Sequence, residues 1–471
     1  MNIHVETVET SALGDRSYLA HDGETGVVID PQRDIDRFIA LAGRLGVRLT
    51  HVAETHLHND YVSGGLTLAQ ATGATYLTAA EQQAAFPRRP VRHGEHITIS
   101  PTLRLTVHAT PGHTFHHLSY IVEEEDQPIG VFTGGSLLFG TTGRTDLLGF
   151  EHARELALRQ HTSARSLADA LPDEAHVWPT HGFGSFCAAH HTETRQSTIG
   201  QEKHTNPALR MDADEFAAHL LDSLDDYPTY YTRMAPRNIA GAELIDLTPL
   251  PQADEKELHQ RIQAREWVID LRPRTAFAHR HLTGTVNLGL DGAMATWLGW
   301  ILPENAPLTL LGESHLHLAT AQRELARIGI DRPTAVATGT PEAWAGGEDT
   351  LLNTMPTATF ADLAAVLTGN SPHNLPAPDA ILDVRTAREW RQGHLRDAVH
   401  IPLPDLAALL NDPIAGAAEI PDGTIWTHCS SGYRAVAAAS LLTRADRHAV
   451  AVDDSYTEAA SAGLPITRPR Q

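Results

Sequence analysis

The chain has 471 residues, too long for one ordinary core at roughly 100 to 200 residues per domain, so two to four domains are expected. A composition of 42% hydrophobic and 20% charged residues is that of a folded globular protein and excludes wholesale disorder. Lys+Arg 36 against Asp+Glu 58 gives a formal charge of −22, which repels nucleic acid and anionic membranes and points to a small-molecule substrate.

No apolar run approaches the roughly 20 residues of a membrane helix, and the opening Met1-Asn2-Ile3-His4 has neither the basic region nor the apolar core of a signal peptide. A cytoplasmic location is therefore expected. The only cysteines, Cys187 and Cys429, fall in different predicted domains, which excludes a disulfide framework.

From residue 1 to about 190, short apolar runs alternate with turn signals. Thr25 to Asp30, Leu103 to His108 and Ile129 to Thr133 read as strands, with helical periodicity between them at Asp34 to Leu45 and Glu151 to Leu171. This predicts strands layered with helices. His56, His58 and Asp60 alternate at the end of one strand, and three more predicted strands run into Thr110-Pro111-Gly112-His113, Phe132-Thr133-Gly134-Gly135 and Pro179-Thr180-His181-Gly182. Imidazoles converging from strand-end loops suit a divalent metal, and a neighbouring carboxylate either binds a second ion or fixes a histidine tautomer. The chain has 29 histidines, so most must be unrelated to metal, and His116 and His117 read first as polar neighbours of a strand. Cys187 reads as a packed small residue.

Residues 195 to 240 read as closing helices and a linker. Beyond them lies an internal repeat: Ile269-Asp270-Leu271-Arg272 returns as Leu382-Asp383-Val384-Arg385, and Phe277, His281, Leu282 and Val286 return as Trp390, His394, Leu395 and Val399, at a constant offset of about 113 positions. The predicted domains are thus 1–235, 236–355 and 356–471. In the last, the strand Thr424 to His428 runs into Cys429-Ser430-Ser431-Gly432-Tyr433-Arg434 and an alanine-rich helix. Backbone N–H groups, a helix N-terminus and Arg434 directed at one sulfur favour the thiolate and would also stabilise a persulfide anion, so covalent sulfur transfer through Cys429 follows. The matching strand of the first repeat, Leu308 to Leu311, leads instead to Gly312-Glu313-Ser314-His315, with no cysteine nearby. That repeat is expected to be inactive, with Asp270 and Arg272 a buried structural pair.

The histidine segments together resemble the metallo-β-lactamase fold over roughly residues 1 to 235. Within that superfamily, Thr110 to Tyr120 and Arg144-Thr145-Asp146 look like the persulfide dioxygenase branch, itself similar to glyoxalase II. The loop at Cys429, with Asp383, Arg385, Glu389, Trp390, Gly393, His394 and Ala398, resembles the rhodanese family over about residues 356 to 471. Its loop looks short enough to suit sulfur rather than the phosphate of a related phosphatase. These resemblances imply an α/β multidomain protein, an N-terminal αββα metallo-β-lactamase fold followed by two rhodanese-like domains with parallel sheets.

The chain departs from the first family twice. Gly135 stands where the family has a carboxylate ligand, and Tyr61 where it has a histidine. A dinuclear hydrolase is thereby disfavoured. What remains is one divalent metal, Fe(II) favoured and Zn(II) possible, on His56, His58 and His113, with Asp60 and His181 in a supporting or second site and Asp146 a candidate for the missing carboxylate. The implied function is oxidation of a low-molecular-weight thiol persulfide to sulfite with O₂, coupled to sulfane-sulfur transfer through Cys429 and Arg434, with Ser430, Ser431, Gly432 and Tyr433 forming the persulfide loop. The alternatives are a zinc-dependent glyoxalase II-like hydrolase, or a sulfurtransferase with a non-catalytic N-terminal domain. Expected partners are a thiol persulfide and thiosulfate or sulfite, and the resemblance makes a homodimer or higher homo-oligomer plausible.

Overall fold

The computed structural model describes residues 3–189 and 194–468. The chain forms two compact units, Met1–Asp246 with Ala326–Gly329, and Leu247–Leu325 with Ile330–Gln471. Among the described residues no helix is long and apolar enough to cross a membrane.

In the first unit a six-stranded sheet follows chain order: His4–Thr10, Asp15–His21, Thr25–Ile29, Arg48–Ala53, Thr75–Ala79, Arg89–Val91. Its first three strands form an antiparallel meander and the rest run parallel. Parallel pairing needs a crossover, and the helices Asp36–Leu45 and Gly65–Thr72 supply two of them. The second six-stranded sheet orders Ser197–Thr198, His176–Pro179, Gln127–Gly134, Leu118–Glu124, Leu103–Ala109 and His96–Thr98.

Period-two alternation shows how these sheets are covered. Tyr18, Ala20, Val27 and Ile29 turn to one face and pack with Leu103, Leu105, Val107, Tyr120, Val122 and Phe132 of the other sheet. Their neighbours Leu19 and Val28 turn the opposite way, onto Phe38, Ala42 and Leu68 of the two crossover helices. Ile121, Val131 and Val177 on the outer face of the second sheet meet Ala157, Ala164 and Leu167 of the helix Phe150–Asp169. The layers are thus helix, sheet, sheet, helix, the arrangement the resemblance implied. Burial on both faces is why these strands read as apolar runs rather than alternating ones.

The second unit holds two parallel sheets. One orders Val286–Asn287, Trp267–Asp270, Leu308–Gly312 and Ala335–Thr338. The other orders Thr357–Ala358, His448–Val452, Thr424–His428, Ala380–Asp383 and Val399–His400. Read from the strand that carries the repeated Asp, both place the same partners on the same sides, so the sequence repeat is also a structural one. In each, the Asp ends its strand and pairs with the Arg two residues on. Arg385 Nε lies 2.9 Å from Asp383 Oδ1 and Nη2 2.6 Å from Oδ2, and Nη2 also donates to Gly393 O at 2.8 Å. Arg272 grips Asp270 at 3.0 and 2.6 Å.

Both residues of the Asp383–Arg385 pair are buried, so removing one partner leaves the other charge without compensation. Asp383→Ala is expected to destabilise this unit by about 3–5 kcal/mol, read from guanidinium unfolding followed by tryptophan fluorescence. A loss below about 1 kcal/mol would show that the pair is not structural.

Candidate functional site

Four strands of the first unit, ending at Ala53, Ala109, Gly134 and Pro179, deliver their following loops to one place. Thr55, His56, His58, Asp60 and Tyr61 come from the first loop, His113 from the second, Gly135 from the third, and Thr180 and His181 from the fourth. All of the histidines and carboxylates among them are buried. The ligand atoms of His56, His113 and His181 lie within 4.8 Å of one another, as do those of His58, Asp60 and His181, and those of Asp30, His56 and His58. His113 shares its grouping with His56 and His181, while His58 faces the other way. Its Nε2 lies 3.0 Å from Glu54 Oε2, 3.0 Å from the Tyr61 hydroxyl and 3.3 Å from Asp30 Oδ1. Tyr61, in place of a histidine, stacks on the His58 ring with centroids 4.3 Å apart.

Other predicted neighbours have settled roles. Asp146 is bidentate on Arg144, with contacts of 2.7 and 2.8 Å, so its carboxylate is directed at that guanidinium. His117 Nδ1 meets Thr110 Oγ1 at 2.9 Å and its Nε2 accepts from Gly135 N at 3.0 Å, whereas His116 is exposed. Cys187 is buried. Asn238, on the helix Tyr231–Ala240, donates to His58 O and Tyr61 O at 2.9 Å each and so clamps the first loop.

Burial and charge divide the imidazoles into two kinds. Burial pushes His113 down to about 3 and His56 well below its usual range, so both are neutral bases near pH 7. Burial acts the same way on His58 and His181, but carboxylates outweigh it: Asp30 and Glu54 raise His58 to about 10, and Asp60 and Asp15 raise His181 to about 9. Burial, and then the charge of Asp60, raises Asp15 to about 7. The neutral His113, with its buried and unpartnered Nε2, clustered with His56, His181 and neighbouring carboxylates, is part of a donor set compatible with a divalent metal. An adjoining cleft is lined by His56, Leu57, His58, Tyr76, Phe86 and His116, among others. Asp15, Asp30 and Glu54 lie outside the motifs the sequence singles out, and the only signal for Asp30 and Glu54 is their position directly after strands of buried aliphatics.

In the second unit, Cys429 follows the strand Thr424–His428 and is 1% exposed. The helix Tyr433–Arg444 starts four residues later, and Gly432 N donates to Cys429 Sγ at 3.2 Å. Gly432 has φ +91°, and a Cβ there would lie 2.0 Å from Asp453 Oδ1, so only glycine lets the loop turn its amide onto the sulfur. Arg434 does not reach out to solvent. Its fork takes Glu389 through two contacts of 2.7 Å and donates to Ser430 Oγ at 2.9 Å. Ser431 is exposed, and the Tyr433 hydroxyl donates to Gly289 O of the first repeat at 2.8 Å. The first repeat also sets Trp297 against the Arg434 guanidinium, 5.2 Å from the ring centroid, and Arg274 against Asp453 at 2.7 Å. The repeat without a cysteine thus walls the loop of the repeat that has one.

Residues 14–181 match the metallo-beta-lactamase superfamily and residues 366–462 match the rhodanese-like domain. The chain therefore carries a metallo-beta-lactamase domain followed by a C-terminal rhodanese-like domain. It is 26% identical over 208 residues to a mitochondrial persulfide dioxygenase of Homo sapiens, covering 44% of this chain and 73% of that one. It is 28% identical over 251 residues to a hydroxyacylglutathione hydrolase of a Polaromonas species, covering 48% of this chain and 92% of that one. A crystal structure of a metallo-beta-lactamase from Staphylococcus aureus subsp. aureus COL aligns over 71% of this chain and 99% of its own, at 28% identity and a TM-score of 0.64.

Glu389 links electrostatics to stability at the Cys429 loop. Burial would raise its carboxyl, but the Arg434 fork outweighs burial and holds it at about 2. A folded value below the unfolded one stabilises the fold fully above about pH 4.5, and that stabilisation is lost as pH falls toward 2. Glu389→Gln is expected to remove on the order of 2–3 kcal/mol at pH 7 and far less at pH 2.5, measured by denaturant unfolding at both values. Equal effects at the two pH values would contradict the ion pair.

Proposed function

We propose that the protein handles sulfane sulfur at two sites, oxidising a low-molecular-weight thiol persulfide to sulfite with O₂ in the first unit and transferring sulfur through Cys429 in the second. The observation that carries this reading is the Cys429 cradle: a buried sulfur that accepts a backbone N–H at the start of a helix, beside a guanidinium fixed by Glu389 and Ser430. In thiosulfate sulfur transfer, the Cys429 thiolate attacks the outer sulfur, the S–S bond breaks and sulfite leaves with the electron pair. The persulfide on Cys429 then yields its terminal sulfur to a second thiolate or to cyanide, and the Cys429 thiolate returns. The amide of Gly432 and the partial positive end of the helix favour the anionic form at each stage.

The buried histidine cluster and the similarity to a persulfide dioxygenase support the oxidative half. Bound Fe(II) would supply a place where O₂ and a persulfide sulfur meet; Zn(II) would instead supply a polarised water. The chain's own residues exclude bulk water there, since the histidines are buried, and Tyr76 and Phe86 line the approach. The similarity to hydroxyacylglutathione hydrolase favours a second reading, thioester hydrolysis on zinc. A third reading leaves the first unit non-catalytic.

Cys429→Ser is expected to lower thiosulfate-to-cyanide sulfur transfer by at least about a thousandfold while leaving persulfide-dependent O₂ uptake intact. His113→Asn should do the reverse. Retained sulfur transfer in the first variant removes Cys429 as the nucleophile. Thioester hydrolysis by the zinc-loaded protein without O₂ uptake by the iron-loaded one would replace the oxidative half with the hydrolase, and neither activity would leave only the sulfurtransferase.

A further inference from the structure

His113 Nδ1 lies 2.7 Å from the carbonyl of Arg144. A carbonyl only accepts, so Nδ1 carries the proton and Nε2 the lone pair. That Nε2 is buried and has no hydrogen-bond partner among the described residues. His56 is fixed in the same tautomer by a relay. The Thr55 hydroxyl donates to Asp30 Oδ2 at 2.7 Å, so toward His56 Nδ1, 2.9 Å away, its oxygen accepts, and again Nε2 is left basic. His181 Nδ1 faces Asp15 Oδ1 at 2.8 Å and Asp60 Oδ2 at 3.2 Å, which places its proton there. Its Nε2 stands 3.3 Å from His56 Nε2. Two basic nitrogens so close need a proton or a cation between them. Metal–nitrogen bonds of about 2.0–2.1 Å in a tetrahedral site set the ligand atoms about 3.3–3.4 Å apart.

We infer that His56, His113 and His181 are the metal ligands of this chain, and that His181 stands in for the carboxylate missing at residue 135. The inference rests on the reading that the first unit holds a divalent metal. Gly135 itself argues for the substitution, because a Cβ there would lie 2.3 Å from His113 Cδ2 and 2.6 Å from Cγ. The His113 ring occupies the room that a side chain at 135 would need, so the loss of one ligand and the placement of another are a single rearrangement. His58 is the competitor. Its Nδ1 is also buried and unpartnered, but both groupings it joins, with Asp60 and His181 and with Asp30 and His56, leave out His113, whose Nε2 lone pair would be unmet. A metal on His181 must displace the proton that its Nε2 otherwise carries, and the three neutral imidazoles then leave the full charge of a divalent ion at the centre, with the carboxylates of Asp15 and Asp60 on His181 Nδ1 as compensation. Such a set accepts either Fe(II) or Zn(II).

The test is metal content of the full chain, stripped with chelator, reloaded without oxygen with Fe(II) or Zn(II), desalted and analysed for metal per chain. His113→Asn and His181→Asn keep a donor toward Arg144 O and Asp15 but lose Nε2; His58→Gln keeps a donor toward Glu54 but loses Nδ1. About one equivalent is expected in the wild type and in His58→Gln, with at least a tenfold loss in the other two. Gly135→Asp is expected to lower retention, because its side chain displaces His113. Should a variant fail to fold, X-ray absorption of the zinc-loaded wild type counts the ligands directly, with three imidazoles and no carboxylate expected. Metal retained by His181→Asn, lost from His58→Gln, increased by Gly135→Asp, or bound through a carboxylate overturns the ligand set alone. A wild type that holds no metal overturns the metal reading with it.

Discussion

Asp30 is the constraint on which the first unit's site depends. Fully buried at the end of the strand Thr25–Ile29, it accepts from the amide and hydroxyl of Thr55 at 2.7 Å each, and from the hydroxyl of Thr180. Thr55 and Thr180 follow strands of different sheets, so one carboxylate ties the two halves of the sandwich together at the rim where the histidines converge. It also fixes chemistry as well as position, because the hydroxyl that Thr55 gives to Asp30 decides which nitrogen of His56 is basic. Burial alone would raise the Asp30 carboxyl; His58 and the hydroxyl donors outweigh it and hold it below the usual carboxylate range. The charge makes the surrounding hydrogen bonds strong, and a buried anion with that many donors resists rearrangement.

The Cys429 loop solves a similar problem for a second anion. A sulfur anion needs donors held in place, and the loop obtains them from backbone: Gly432 turns its amide inward, in a conformation open only to glycine. Arg434 is held by Glu389, which is itself held by the N-terminal cap of its helix through Thr386 N at 2.9 Å. The first repeat retains the strand order and the Asp–Arg pair of the second but has no cysteine. Its contribution is the wall formed by Gly289, Trp297 and Arg274.

How much of this was legible in the sequence depended on range. Thr25 to Asp30, Leu103 to His108 and Ile129 to Thr133 showed as strands because both faces are buried, and the repeat showed because the same strand-end Asp–Arg pair recurs. Cys429 was legible because the loop and its helix are contiguous. Asp15, Asp30 and Glu54 were not, since they gain their roles only when sheet order brings residues 15, 30, 54 and 181 together. Glu389 was visible as part of a motif, but its grip on Arg434, 45 residues away, was not. Sequence also carries no information on which imidazole nitrogen is protonated. That is decided by Arg144 O, Thr55 and Asp15, and it separates His113 from His58 as neighbours of one centre.

The two proposed chemistries would share an atom, the sulfane sulfur. The most direct measurement is a single-turnover experiment with thiosulfate labelled at its outer sulfur, in the presence of a small thiol and O₂, following the label by mass spectrometry. A shared sulfane sulfur predicts labelled persulfide on the Cys429 peptide first, then on the thiol, and finally labelled sulfite formed with uptake of O₂. Label that reaches Cys429 and the thiol but never appears in sulfite, in metal-loaded protein, would contradict it.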